Sequence, residues 1–203
     1  MKIICIGWNY HDHAKELNNP IPKEPVFFLK PDSALIRDNK PFYLPGFSHE
    51  IHHEVEIVLK IGRLGKNIKQ AFASRYYDEI GIGIDFTARD IQRQCKKEGK
   101  PWEIAKAFDG SAPVGSFITA EKFRSKSNIN FELIINGQQV QAGNTGDMIF
   151  SFDKIIEYVS QFMTLKIGDL IFTGTPVGVG PVEIGDHLVA SIEGQELLNF
   201  HIK

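Results

Sequence analysis

The chain has 203 residues, 42% of them hydrophobic and 24% charged, with a formal net charge of −2. That is the composition of one globular domain with a sizeable core, and the near-neutral, unclustered charge excludes a basic footprint for nucleic acid or an anionic membrane. No apolar run reaches spanning length and the start, Met1 to Gly7, is too short for a signal peptide, so a soluble cytoplasmic protein is expected, with Cys5 and Cys95 as reduced thiols.

In chain order, Met1 to Gly7 reads as a first strand and Trp8 to Leu17 as a short helix closed by Asn18, Asn19, Pro20, Pro22 and Pro25. On that helix His13 and Glu16 are three apart and share a face, the spacing of a general base with its orienting carboxylate and equally of an ordinary surface pair. Val26 to Lys30 reads as a strand stopped by Pro31. His49-Glu50-Ile51-His52-His53 matches HExxH literally. Pro45-Gly46 before it and a β-branched run after it leave too little room for the helix that this zinc pattern needs.

His52 to Lys60 alternates as a strand, with Glu54 and Glu56 on one face and Val55, Ile57 and Leu59 on the other. Two readings fit: a solvated polar face, or two carboxylates that repel unless one takes a proton or a cation lies between them. A third acid, Asp85, ends the apolar run Ile80 to Ile84. Three such carboxylates suit a hard divalent cation such as Mg²⁺ or Mn²⁺, with coordination positions left for substrate oxygens.

Between these strands Ile68 to Tyr77 reads as a helix that Asn67 can cap. After Asp85, Thr87 and Asp90 have capping-box spacing and Gly99 is a natural terminator, which gives a second helix with Arg89 and Gln92 on one face. They are either solvated surface or paired donors for a substrate carboxylate. Lys106 lies among small and apolar residues, where it either stabilises developing negative charge or snorkels outward. Asn136-Gly137 marks a hairpin between Asn128 to Ile135 and Gln138 to Gln141. Asp153 can cap a helix whose stripe is Ile155, Ile156, Val159, Phe162 and Met163. The last third holds strands at 169–173, 187–192 and 196–202. Its Gly174 to Pro181 stretch lacks both nucleotide-loop patterns, and it reads either as a turn that presents N–H groups and the Thr175 hydroxyl to an anion or as a plain connection.

Taken in order, Asn9-Tyr10 with His13 and Glu16, Phe28 to Pro31, His52 to Glu56, Asp85 to Gln92, Pro101-Trp102, Ala105-Lys106 and Gly174-Thr175-Pro176 with Gly178 to Pro181 resemble the fumarylacetoacetate hydrolase superfamily, in its acylpyruvase and oxaloacetate decarboxylase branch. Trp8 departs from that pattern by standing where an arginine is expected before Asn-Tyr. The resemblance implies an α+β fold with β-rich mixed sheets rolled around the site, one catalytic domain over 1–203 and a homodimer. It further implies Mg²⁺ or Mn²⁺ on Glu54, Glu56 and Asp85, a His13/Glu16 water-activating dyad on a mobile lid over 10–25, and Lys106, Arg89, Gln92 and Thr175 around a small 2-oxo acid.

The expected chemistry is C–C cleavage through a metal-stabilised enolate, by acylpyruvate or fumarylpyruvate hydrolysis or by oxaloacetate decarboxylation. A hydratase or enol-keto isomerase of unsaturated oxo-diacids, and an inactive ligand-binding relative, are the alternatives.

Overall fold

The computed structural model describes residues 1–11, 21–124, 126 and 128–203. In chain order its strands are β1 (Ile3–Gly7), β2 (Val26–Lys30), β3 (Leu35–Ile36), β4 (Ile51–His53), β5 (Val55–Ile61), β6 (Tyr77–Ile84), β7 (Thr87–Ala88), β8 (Ala112–Pro113), β9 (Ile118–Thr119), β10 (Asn130–Ile135), β11 (Gln138–Asn144), β12 (Leu170–Phe172), β13 (Gly180–Pro181), β14 (His187–Ile192) and β15 (Gln195–His201). The α-helices among the described residues are α1 (Arg89–Glu98), α2 (Glu103–Lys106) and α3 (Phe152–Phe162). This is the mixed, β-rich α+β class expected. No described helix is long and apolar enough to cross a membrane.

A six-stranded sheet in the order β2-β1-β12-β5-β6-β9 carries the site, and a four-stranded sheet, β11-β10-β14-β15, packs over one side of it. Strand β5 explains the arrangement. It is paired on one edge to β6 and on the other to β12, and both of its faces are buried. Val55, Ile57, Leu59 and Ile61 enter the large core shared with Ile80, Ile82, Ile84, Leu133 and Leu188, while Val58 joins a smaller cluster with Ile3, Cys5, Leu170 and Phe172. The alternation in sequence therefore sorts side chains between two cores, not between core and water. Glu56 shares the face of Val58, so its carboxylate is drawn into the protein.

Glu54 is where the chain changes sheets. Strand β4 pairs with β7 and β13, and β5 with β6 and β12, so the single strand expected from His52 to Lys60 is broken at this residue. Other local readings also shift. Residues Gln70–Arg75 form a 3-10 helix with Tyr77 already in β6, and Asn67, at φ 52°, caps nothing. Ser151, not Asp153, caps α3 through the Lys154 N–H. Ile155, Ile156 and Val159 are core, whereas Phe162 is exposed and meets the Phe27 ring at a tilt and the Tyr158 ring edge to face. The hairpin turn stands as read, Asn136 and Gly137 having φ of 52° and 82°.

On β6, Gly83 lies opposite Glu56. A Cβ there would approach the Phe172 ring to 2.8 Å and the Pro113 carbonyl to 2.9 Å, so the position admits no side chain. Gly83→Ala should lower stability by about 1–3 kcal/mol, the usual cost of overpacking a filled core. Urea unfolding reads it directly, and an unchanged midpoint would refute this packing.

Candidate active site and metal centre

The antiparallel register of β5 and β6 sets Val55 against Ile84 and Glu56 against Gly83, which brings Asp85, the next residue, beside Glu54. The Asp85 N–H donates to the Glu54 carbonyl at 2.8 Å and locks the two together. Glu54, Glu56 and Asp85 thus each offer a carboxylate oxygen within 4.8 Å of the others, all three side chains buried. Glu56 and Asp85 are each only 1% exposed.

Three cations are buried with them. The Lys106 ammonium donates to Asp85 Oδ2 at 2.6 Å and to Glu54 Oε2 at 2.9 Å. Arg89 donates through one terminal nitrogen to Glu54 Oε1 at 2.5 Å and through the other to Gln92 Oε1 at 2.7 Å. Lys30, 1% exposed, lies 2.7 Å from Asp85 Oδ1 and donates to Ser111 Oγ and to the carbonyls of Phe86, Ser111 and Lys106. Both outward readings are thereby corrected: Lys106 does not snorkel, and Arg89 and Gln92 are not solvated helix surface. Burial works against the Lys106 charge, yet Asp85 and Glu54 together hold its pKa above the ordinary lysine value.

Glu56 differs from the other two acids. Among the described residues its hydrogen-bond donor is a backbone group, the Gly174 N–H, at 2.6 Å from Oε2. Burial, then the charges of Asp85 and Glu54, push its pKa well above the ordinary carboxyl range, against the pull of Gly174 and Lys106. Gly174 has a φ of 102°, and a Cβ on it would meet Asn9 Cβ at 2.7 Å, so only glycine turns this N–H onto Glu56. The turn therefore serves a protein carboxylate with the group expected to meet a ligand anion.

This donor set fits a hard divalent cation. Three carboxylates of one small cluster, each with an oxygen within 4.8 Å of the others, are the ligands Mg²⁺ and Mn²⁺ take. A cation there would also offset the burial and the Asp85 and Glu54 charges that raise the Glu56 pKa. The cavity around the acids, about 20 Å³, is bounded also by Trp8, Phe28, Gln92, Lys96, Trp102 and Thr175.

Two supports were not evident from sequence. Gln141, on β11, is buried; its Oε1 meets the Val55 N–H at 3.0 Å and His53 Nδ1 at 2.9 Å, and its Nε2 donates to Thr175 Oγ1 at 2.9 Å. Because Thr175 Oγ1 accepts that bond, its own hydrogen is left to donate to a ligand oxygen. Asn9, fully buried, bonds the Phe150 N–H and the carbonyls of Phe150 and Thr173, and so fixes the chain beside Gly174. Gln141 lies in no pattern that signals such a role, and Asn9 stands in the Asn9-Tyr10 pair of the resemblance, which assigns it none. Thr87 has the spacing of a cap, but its hydroxyl donates to Glu54 at 3.1 Å and α1 has no side-chain cap. The HExxH residues end in strand β4, where a zinc-binding helix is excluded. His13 and Glu16, with most of the 10–25 segment, lie outside the described residues.

Ligation needs the Glu56 carboxylate, so cation binding should expel a proton wherever Glu56 holds one and weaken as pH falls through its raised pKa. Calorimetry in buffers of different ionisation heat reads that release. Glu56→Gln should abolish it and weaken Mg²⁺ binding with the fold intact; unchanged affinity would remove Glu56 from the centre.

The geometry agrees with comparisons to known proteins. The family model described as fumarylacetoacetate (FAA) hydrolase C-terminal matches residues 2–203. The oxaloacetate tautomerase FAHD1, mitochondrial, of Mus musculus is 43% identical over 201 residues, covering 99% of this chain and 91% of its own. The oxaloacetate tautomerase YcgM of Escherichia coli K12 is 42% identical over 197 residues, covering 97% and 90%. Among solved structures, the fumarylpyruvate hydrolase of Pseudomonas aeruginosa in complex with Mn²⁺ and pyruvate superposes with a TM-score of 0.93 at 34% identity, over 100% of this chain and 89% of that one. Fold, acid cluster and sequence agree, and the chain belongs to the fumarylacetoacetate hydrolase C-terminal family.

Proposed function

We propose that this protein is a divalent-cation-dependent enzyme that breaks the C–C bond between the carbon α to the keto group of a small 2-oxo acid and the carbon beyond it, hydrolysing an acylpyruvate such as fumarylpyruvate or decarboxylating oxaloacetate. The observation that carries this reading is the buried triad of Glu54, Glu56 and Asp85 with the Lys106 ammonium against two of its members. Glu54, Glu56 and Asp85 would hold Mg²⁺ or Mn²⁺, which supplies positive charge beside the oxygens of the oxo acid. The Mn²⁺ and pyruvate named with the Pseudomonas structure support that choice of ion and ligand class.

The chain's own groups then have distinct tasks. Bond breaking leaves an electron pair that becomes the enolate of the keto acid, and Lys106, desolvated and ionised, stabilises the oxygen where that charge gathers. Gln92 spends its Oε1 on Arg89, which leaves its amide hydrogens for the substrate carboxylate, together with the Thr175 hydroxyl. Arg89 orients both Glu54 and Gln92. In hydrolysis His13, oriented by Glu16, removes a proton from the attacking water; the lid over 10–25 and the homodimer belong to this reading through the family resemblance.

A second reading is favoured by the names of the mouse and Escherichia coli relatives: keto–enol interconversion of oxaloacetate. It passes through an enolate on the same keto oxygen, with the carbon skeleton intact, and needs only a proton moved between the adjacent carbon and that oxygen. His13→Ala separates the two. Loss of a general base for water costs about 10²–10⁴-fold, so the variant should lose acylpyruvate hydrolysis far more than oxaloacetate decarboxylation, with Lys106→Ala impairing both. Equal losses in both reactions would instead make His13 the proton carrier at carbon, and failure of a chelator to abolish turnover would contradict the cation requirement.

A further inference from the structure

The cations at the acid cluster are all engaged by carboxylates, but the cavity is lined by one further cationic side chain. Lys96 lines it, remains solvent-accessible, and has no carboxylate partner among the described residues. Its ammonium sits 5.5 Å from the Trp8 ring centroid and 5.3 Å from that of Trp102, and the two indoles meet edge to face at 5.4 Å. Trp8 carries a φ of 57°, a conformation costly for a bulky side chain that persists only where the surroundings impose it.

Helix geometry orders these groups. Arg89, Gln92 and Lys96 are spaced i, i+3 and i+7 on α1, so they form one stripe, and seven residues of rise put Lys96 about 10 Å along the axis from Arg89. Arg89 is at the acid cluster and Gln92 one turn on. Lys96 is the outermost. A cavity of about 20 Å³ holds roughly one water, so an oxo acid seated at the acids parts this rim and brings its far end against Lys96 and the indoles.

We infer that Lys96, held between Trp8 and Trp102, is a specificity-determining residue that pairs with the distal carboxylate of an oxo-diacid. The inference rests on the 2-oxo acid reading of the site and narrows its substrate class. Packing against two aromatic rings leaves the Lys96 N–H donors without a protein acceptor among the described residues, whereas Lys30, Arg89 and Lys106 have theirs committed to protein oxygens. A neutral acyl group gains nothing from Lys96. A distal carboxylate gains a charge-assisted hydrogen bond.

Fumarylpyruvate and acetylpyruvate test this, because both are acylpyruvates and only the first has a distal carboxylate. The ratio of their kcat/KM values should fall about ten- to hundredfold in Lys96→Met and return close to the wild-type ratio in Lys96→Arg. An unchanged ratio in Lys96→Met, even with both rates reduced, would make Lys96 a packing element of the rim and overturn the inference while leaving the site reading intact. Wild-type protein that cleaves neither compound would overturn this inference and, if it also fails to decarboxylate oxaloacetate, the site reading with it.

Discussion

A carboxylate taken out of water stays charged only where other groups replace its solvation, and this chain buries three within one small cluster. Everything around them supplies the replacement. Lys30 comes from β2, Lys106 from α2, Arg89 from α1, Thr87 from β7 and the Gly174 N–H from the turn after β12. None of these elements is local in sequence to the acids it serves. Removing one partner of such a buried pair leaves a bare charge and typically costs about 3–5 kcal/mol, so the fold and the site are not separable problems. The six-stranded sheet brings the acids together, and the ion network ties the outer elements to that sheet.

The network is uneven, and the unevenness is chemically informative. Glu54 and Asp85 have ammonium or guanidinium partners, but Glu56 has a backbone N–H and a pKa raised by burial and by its two neighbours. Such an arrangement disfavours three simultaneous negative charges until another cation arrives. Three buried cations already face the three acids, and a divalent ion gains most at Glu56, whose hydrogen-bond donor among the described residues is a backbone N–H. Gln141 extends the same logic to the ligand side. One amide holds the start of β5 and turns the Thr175 hydroxyl toward donation, coupling the acid strand to the loop across it.

The acid cluster was legible in sequence because period-2 alternation and an apolar run ending in Asp85 report directly on strand geometry. Two things hid behind the same pattern. The break at Glu54 depends on which sheet each half of the run joins, a long-range choice that local propensity does not encode. The full burial of β5 likewise depends on a second core, assembled from Cys5, Leu170 and Phe172, far away in the chain. Thr87 and Asp90 had the spacing of a cap, but tertiary partners outbid the helix: Thr87 bonds Glu54, and Asp90 bonds Ser48 and the His49 N–H. Lys30, Asn9 and Gln141 carried no signal as single residues, since a lysine at a strand end or an amide in a hairpin is ordinary until its partners are known.

The central claim is that Glu54, Glu56 and Asp85 together hold one divalent cation. Anomalous diffraction at the manganese edge from crystals grown with Mn²⁺ addresses it without reference to turnover. The account predicts a single strong peak at inner-sphere distance from one oxygen of each of the three residues, with the Lys106 ammonium still beside the cluster. A Mn²⁺ peak elsewhere, with the three carboxylates bridged by Lys106 alone, would contradict it.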